Sequence, residues 1–245
     1  CWNLLEMLKE VPDLASKNLQ KEDYKMKEKH YEVLATLFRF PDENYISQCR
    51  EVQKYFDKNE PEIGKALSNF TKKLDPNQMA IQELFLSTFD VQAVTTLDIG
   101  FVLFGDEYKR GELLANLNRE LKNHAIDKNN ELADNLANVL QLMSKWDNPE
   151  LRAEFAGLVL FPALVKMRSE FNIDSVEQKN KYYKKAFKTV LDSSSRQRLI
   201  YEHSLSAVIA LIQKEFPQIT VIQNNAKGND FLVSLKHETT VEKAL

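Results

Sequence analysis

Hydrophobic residues recur at helical spacing along most of this chain. Between residues 42 and 60, for example, Tyr45, Cys49, Val52 and Phe56 stand three or four positions apart, which places their side chains on one face of an α-helix. Comparable patterns occupy residues 21–40, 61–70, 76–89, 106–120, 132–143, 149–167, 176–191 and 196–216. The pattern predicts a single all-α domain of about ten helices.

Turn-forming residues are too few for a different fold class. The 245 residues contain 6 glycines and 7 prolines, whereas a fold with many β-strands needs frequent turns. Residues 1–20 are predicted to form an N-terminal extension, which either docks on the core as a helix or serves as a partner-binding arm. The helical domain spans residues 21–216. The tail, residues 217–245, fits a short β-hairpin, a further helix or a loose end equally well.

Three of the glycines, Gly100, Gly105 and Gly111, fall within twelve residues. Gly105 followed by Asp106 and Glu107 predicts a turn that leads into an acid-rich helix start, because carboxylates oppose the positive end of the helix dipole. Gly111 would then lie inside that helix, where glycine costs about 1 kcal/mol relative to alanine. We therefore expect another part of the molecule to pack closely against Gly111.

Composition and charge exclude several classes of protein. A net charge of -3 gives no sign of a nucleic-acid footprint. The longest strongly apolar run, residues 155–165, is shorter than the roughly 20 residues that span a bilayer, so a core helix is expected there. Cys49 lies on an apolar helix face and is expected to be a buried, unreactive thiol. Because the chain starts at Cys1, cleavage and lipid modification of Cys1 remain an alternative.

The sequence contains no recognisable set of catalytic residues. The four histidines, His30, His124, His203 and His237, stand in unrelated segments and have no partner at metal-ligand spacing. The glycines match neither the dinucleotide nor the phosphate-loop pattern, and carboxylates in the first turns of a helix more often serve as caps. We therefore expect no enzyme activity, no catalytic residue, no metal and no cofactor.

Three stretches carry a family resemblance. Residues 95–97 (TTL), followed by residues 104–111 (FGDEYKRG), resemble the central signature of the TorD/NarJ/DmsD family, which consists of dedicated chaperones for molybdenum-cofactor oxidoreductases. The chain looks most similar to the NarJ-like branch, which serves nitrate reductases and the type II dimethyl-sulfoxide-reductase group. Residues 37–42 (LFRFPD) and 131–136 (ELADNL) resemble the outer motifs of the family. Asn135 stands where the family pattern has histidine, so a titrating imidazole is not available at that point.

The resemblance implies a cytoplasmic, non-catalytic chaperone. Its partner would be the catalytic subunit of a molybdenum-cofactor oxidoreductase, bound through its N-terminal segment and a second surface until the cofactor is inserted and export proceeds. The alternative is a lasting accessory protein of the mature complex, and the protein itself is either a monomer or a homodimer. The residues that the resemblance implies for partner binding are Phe85, Phe89, Asp98, Tyr108, Arg110, Gly111, Glu112, Asp134 and Asn135.

Overall fold

The computed structural model describes residues 29–187 and 195–219. The predicted N-terminal extension and almost all of the predicted tail, including the alternative of a hairpin, lie outside the described residues. Within them, the elements are helical, and no strand is found beyond one isolated bridge between Asp98 and Asn135. The prediction of an all-α bundle is therefore confirmed.

The described residues form α-helices of 4 to 16 residues. They are α1 (residues 29–35), α2 (Tyr45–Asn59), α3 (Pro61–Thr71), α4 (Gln78–Phe89), α5 (Ile99–Phe104), α6 (Tyr108–Asn123), α7 (Leu136–Met143), α8 (Pro149–Phe155), α9 (Phe161–Ser169), α10 (Ile173–Phe187), α11 (Ser195–Arg198) and α12 (Glu202–Glu215). Turns of 3₁₀-helix, Thr36–Phe38 and Leu199–Tyr201, follow α1 and α11.

Local sequence explains where several helices begin. Pro61 and Pro149 each occupy the first turn of a helix, where the missing N–H is not needed. Asn77 caps α4 by accepting hydrogen bonds from the backbone nitrogens of Met79 and Ala80, and Asn148 caps α8 in the same way. Prolines and capping asparagines therefore mark where these helices begin, whereas apolar spacing indicates how far each helix extends.

The predicted apolar helix at 149–167 is interrupted in the middle. Residues Ala156–Leu160 form a π-helical turn between α8 and α9, and Pro162 lies in the first turn of α9. A proline inside a helix removes a backbone donor and crowds the preceding turn, which accounts for the predicted distortion near Pro162. Phe155 and Leu164 are buried as expected, but Leu158 is exposed.

The core is continuous and includes a buried ion pair. Arg152 of α8 donates to Glu215 of α12 at 2.7 Å, with both side chains buried, and the guanidinium lies over the ring of Tyr31. Cys49 is buried, as predicted, and burial raises its pKa to about 12. Among the described residues, every helix is too short or too polar to span a lipid bilayer.

Candidate partner-binding site around Arg110

The tract that the sequence singled out lies between α4 and α6. The stretch without a clear period, residues 90–105, consists of a connector, residues 90–98, and the short helix α5. Gly105 ends α5 with a φ of 60°, a left-handed conformation that favours glycine, so the predicted turn is confirmed. Helix α6 begins at Tyr108 with Glu107 as its N-cap residue, two positions later than the acid-rich start that the sequence suggested.

Arg110 connects three acidic side chains. Its Nε donates to Asp134 Oδ2 at 3.0 Å and its Nη2 donates to Asp98 Oδ2 at 3.0 Å. Asp106, which is exposed, lies 3.9 Å from Nη1. Because the guanidinium presents several donors in a fixed plane, one arginine can hold two carboxylates that come from different segments.

The backbone brings the two carboxylates together. Asp98 and Asn135 form an isolated antiparallel bridge, in which the Ile99 nitrogen donates to the Asp134 oxygen at 2.9 Å and the Leu136 nitrogen donates to the Leu97 oxygen at 2.8 Å. The bridge therefore joins the start of α5 to the start of α7. The four predicted residues Asp98, Arg110, Asp134 and Asn135 consequently meet in one cluster.

Asn135 has a structural task at the position where the family pattern has histidine. Its side-chain oxygen accepts from the Ala137 nitrogen at 3.0 Å and so caps α7. Its amide nitrogen donates to Glu131 Oε2 at 3.3 Å. An asparagine supplies both a donor and an acceptor, so this position orients the start of α7 without a titrating group.

The cluster contains more acid than base. Burial, followed by the neighbouring charge of Asp134, raises the pKa of Asp98 to about 6 although Arg110 opposes the shift. Burial lowers the pKa of Arg110, but its hydrogen bond to Asp134 and the nearby carboxylates outweigh that effect and raise it. Asp134 is fully buried, and its Oδ1 accepts no hydrogen bond from the described residues. The cluster thus holds a partly exposed carboxyl, that of Asp98, whose pKa lies well above its ordinary value.

The close approach of the backbone occurs at Gly100 and not at Gly111. A Cβ atom on Gly100 would lie 2.6 Å from Asp134 Oδ2, 3.1 Å from a methyl carbon of Leu113 and 3.3 Å from Arg110 Cγ. Gly111 is exposed, and a Cβ atom there would meet nothing within 4 Å. The expectation that Gly111 packs against another part of the molecule is therefore wrong within the described residues, because α6 turns that side of the helix outward.

Two aromatic side chains in the segments that carry Asp98 and Arg110 are exposed. The ring of Phe101 is 42% exposed, and the Arg110 guanidinium carbon lies 5.2 Å from its centroid. Tyr108, at the start of α6, is 81% exposed. We call Asp98, Phe101, Tyr108 and Arg110 together the Arg110 surface. Glu112 is partly buried, and among the described residues it forms no hydrogen bond or ion pair with the cluster.

Phe101 was not among the residues selected from the sequence. It belongs to the apolar run Ile99–Phe104, in which every side chain except that of Gly100 is hydrophobic. Such a run gives no indication of which residue faces outward. The exposure of the Phe101 ring depends on how α5 packs against α9 and against the π-helical turn, and on the position of Arg110.

Phe85 and Phe89 lie elsewhere, in the core of the bundle. They are 7% and 6% exposed, and both rings pack edge-on against Tyr201, with centroid separations of 5.9 and 4.8 Å. Tyr201 also lies against Phe70. The two phenylalanines therefore contribute to packing, while the polar residues of the prediction form the Arg110 cluster.

No family model, curated protein or solved structure matches this chain. Among the described residues, no group of three or more histidine, cysteine, aspartate or glutamate side chains is placed to hold a metal ion. The chemistry that this site offers is an ion cluster at the surface beside exposed aromatic rings.

Proposed function

We propose that this protein is a non-catalytic maturation chaperone that binds the catalytic subunit of a molybdenum-cofactor oxidoreductase through the Arg110 surface. The partner would be held in an immature state until its cofactor is inserted and the complex is assembled. A protein that binds only the immature state shifts its population by mass action and needs no chemical step.

One observation carries the proposal. The polar residues implied by the family resemblance, Asp98, Arg110, Asp134 and Asn135, come from three segments up to 37 positions apart, yet they form one hydrogen-bonded cluster. The Arg110 guanidinium lies against the partly exposed ring of Phe101, and Tyr108, in the first turn of the same helix as Arg110, is also exposed. Aromatic side chains and arginine are the residue types enriched where proteins recognise one another.

The forces available at this surface suit an apolar segment with polar ends. An apolar helix that buries about 500 Å² would gain on the order of 10 kcal/mol before ordering costs. The exposed ring faces supply apolar contact, and the charged groups of the cluster fix the direction of the segment because a mismatched polar group is costly to bury. The N-terminal segment of a catalytic subunit is the partner that the proposal names.

Binding of a synthetic peptide tests the proposal. Peptides that cover the N-terminal segment of such catalytic subunits would be titrated into the full chain by calorimetry. We expect Arg110→Lys to weaken binding at least tenfold, about 1.4 kcal/mol, because one ammonium group cannot hold two carboxylates in the fork geometry of arginine. Arg119→Lys is the matched control, since Arg119 lies on the same helix but bonds to Asn116.

Two results would decide against the proposal. One is the absence of binding to the wild-type chain for every such peptide and for the intact immature subunit. The other is equal affinity for the Arg110→Lys and Arg119→Lys proteins. Purification of the cofactor-loaded enzyme then separates the two roles that the resemblance allows: a chaperone is absent from it, whereas a lasting accessory protein stays at fixed stoichiometry.

A further inference from the structure

Three cationic side chains from the C-terminal half of the chain reach the tract that carries the site. They are Lys166 of α9, Lys179 of α10 and Arg198 of α11, and we call them the cationic clamp. Each donates to a backbone carbonyl oxygen between residues 92 and 102. In the sequence, Asp98 lies between the residues whose carbonyl oxygens accept these hydrogen bonds.

The contacts of the clamp are spread along the tract. Arg198 Nη1 donates to the Gln92 oxygen at 3.3 Å, and Lys179 Nζ donates to the Val94 oxygen at 2.5 Å. At the other end, Lys166 Nζ donates to the oxygen of Val102 at 2.6 Å. Hydrogen bonds from a charged donor are roughly twice as strong as neutral ones, so these contacts fix the backbone on both sides of Asp98.

The tract needs such support because it contains little regular structure. Residues 90–98 form neither helix nor strand, and Gln92 has a φ of 54°, which is uncommon for a residue other than glycine. The carbonyl groups of Gln92 and Val94 have no place in a helical ladder, so an external donor satisfies them. The connector is therefore held from outside as well as by its own turns.

The clamp residues are themselves tied to the C-terminal helices. Arg198 is almost fully buried, and its Nη1 also donates to Asn180 Oδ1 at 3.0 Å. Lys179 pairs with Glu170 at 2.9 Å. Burying a guanidinium is costly unless it is well paired, and both residues make a second contact that directs them toward the connector.

We infer that Lys166, Lys179 and Arg198 are positioning residues for the Arg110 cluster: they hold residues 92–102 in the conformation that keeps Asp98 against Arg110 and paired with Asn135. They stand 31 or more positions after Asn135 in the sequence, outside the segment that carries the family resemblance to the site. The effect of these three residues on the cluster does not depend on the proposed function. Their effect on partner binding rests on it.

Amide hydrogen exchange in the full chain tests the inference without any partner. The variant is Lys166→Met with Lys179→Met, which keeps unbranched side chains of similar size, removes both charged donors and leaves the buried Arg198 in place. The reporters are the amides of Ile99 and Leu136, which form the bridge between the two segments. We expect both to exchange at least tenfold faster, while amides in the middle of α12 keep their wild-type rates.

Lys214→Met is the matched control. Lys214 is an exposed lysine of α12, and it pairs with Glu60, which lies outside residues 90–105. It should leave the Ile99 and Leu136 amides unchanged. Replacing Lys179 by arginine, which retains a charged donor, should restore most of the protection that Lys179→Met removes.

The outcomes are distinct. The inference fails if the bridge amides of the double variant exchange at wild-type rates, or if all amides, including those of α12, speed up together, since that would show a loss of global stability. If the bridge opens selectively and the wild-type chain binds a partner peptide, the double variant should bind it at least tenfold more weakly. If no peptide binds the wild type, the proposed function fails while the exchange result still decides the inference.

Discussion

The aromatic cluster around Tyr201 and the ion cluster around Arg110 are built in opposite ways. In the first, Phe70, Phe85 and Phe89 pack against one buried ring, and the Tyr201 hydroxyl lies 3.0 Å from that of Tyr45. In the second, a partly exposed arginine holds two carboxylates beside exposed rings. One region is formed by apolar surface removed from water, and the other by paired charges at the edge of the core, with Asp134 buried and Asp98 and Arg110 partly exposed.

This difference shows which residues are free to serve a partner. Buried apolar side chains contribute several kcal/mol each to folding, so any change in Phe85 or Phe89 acts first on stability. An ion pair gives less net free energy than apolar burial because its charged groups lose their hydration, although complete removal of one partner leaves the other buried and unpaired. A conservative change such as Arg110→Lys, which keeps the positive charge, should therefore cost less stability than truncation of a core ring, which makes the comparison testable.

The largest expected effect is on the aromatic cluster. Phe89→Ala should lower the free energy of unfolding by about 3 to 5 kcal/mol, because it leaves a cavity against Tyr201 in a close-packed core. Phe101→Ala, the matched control, should cost about 1 kcal/mol, since that ring is 42% exposed and its main contact is a cation–π interaction. Urea denaturation of both variants measures the difference.

The comparison would fail if Phe89→Ala and Phe101→Ala lowered the free energy of unfolding by the same amount. Peptide binding tests the same comparison in a second way. Phe101→Ala should weaken the binding of the partner peptide, whereas Phe89→Ala should leave the affinity of the remaining folded protein unchanged. A folded Phe89→Ala protein that has lost the partner selectively would move the binding surface toward the aromatic cluster.

The next effect is a dependence of stability on pH that comes from the ion cluster. The pKa of Asp98 is raised to about 6, above the value of about 3.9 of an unfolded chain, so between these values the folded protein holds a proton that the unfolded chain has lost. The contribution of Asp98 to stability therefore falls as the pH rises from 4 to 6, by about 1 to 3 kcal/mol.

Denaturation at several pH values measures this contribution. Subtracting the curve of Asp98→Asn from that of the wild type isolates it, since the amide cannot titrate. A wild-type curve that matches the Asp98→Asn curve between pH 4 and 6 would show that Asp98 titrates as an ordinary surface carboxyl and that the cluster is more open to water than its geometry indicates.

Most of the fold, and part of the site, could be predicted from the sequence. The helices follow from apolar spacing and from prolines at helix starts, which are local signals. The meeting of Asp98, Arg110 and Asp134 depends on a bridge between distant segments, and only the family resemblance indicated it. The exposure of Phe101 and the clamp from Lys166, Lys179 and Arg198 depend on packing between helices, for which a single sequence carries no local pattern.

The two glycines illustrate the same point. Spacing alone made Gly111 the candidate for close packing, since it lies inside a helix, but the helix orientation that decides the matter is a tertiary property. Gly100, in the first turn of α5, is the residue that admits Asp134. Substitution by alanine at both positions compares a packed glycine with an open one in the same site.

We expect the two substitutions to differ in sign. Gly100→Ala should destabilise the protein by about 1 to 2 kcal/mol, because a methyl group 2.6 Å from Asp134 Oδ2 displaces a charged hydrogen bond worth more than the gain in helix propensity. Gly111→Ala should stabilise it by about 0.5 to 1 kcal/mol, since an open helical position gains from the lower backbone entropy of alanine. Thermal and urea denaturation measure both changes.

Partner binding by the Gly111→Ala protein locates the contact. If this variant is more stable but no longer binds the partner, the bare backbone at Gly111 is a contact of the partner. If binding is intact, the partner lies on the Phe101 side of Arg110.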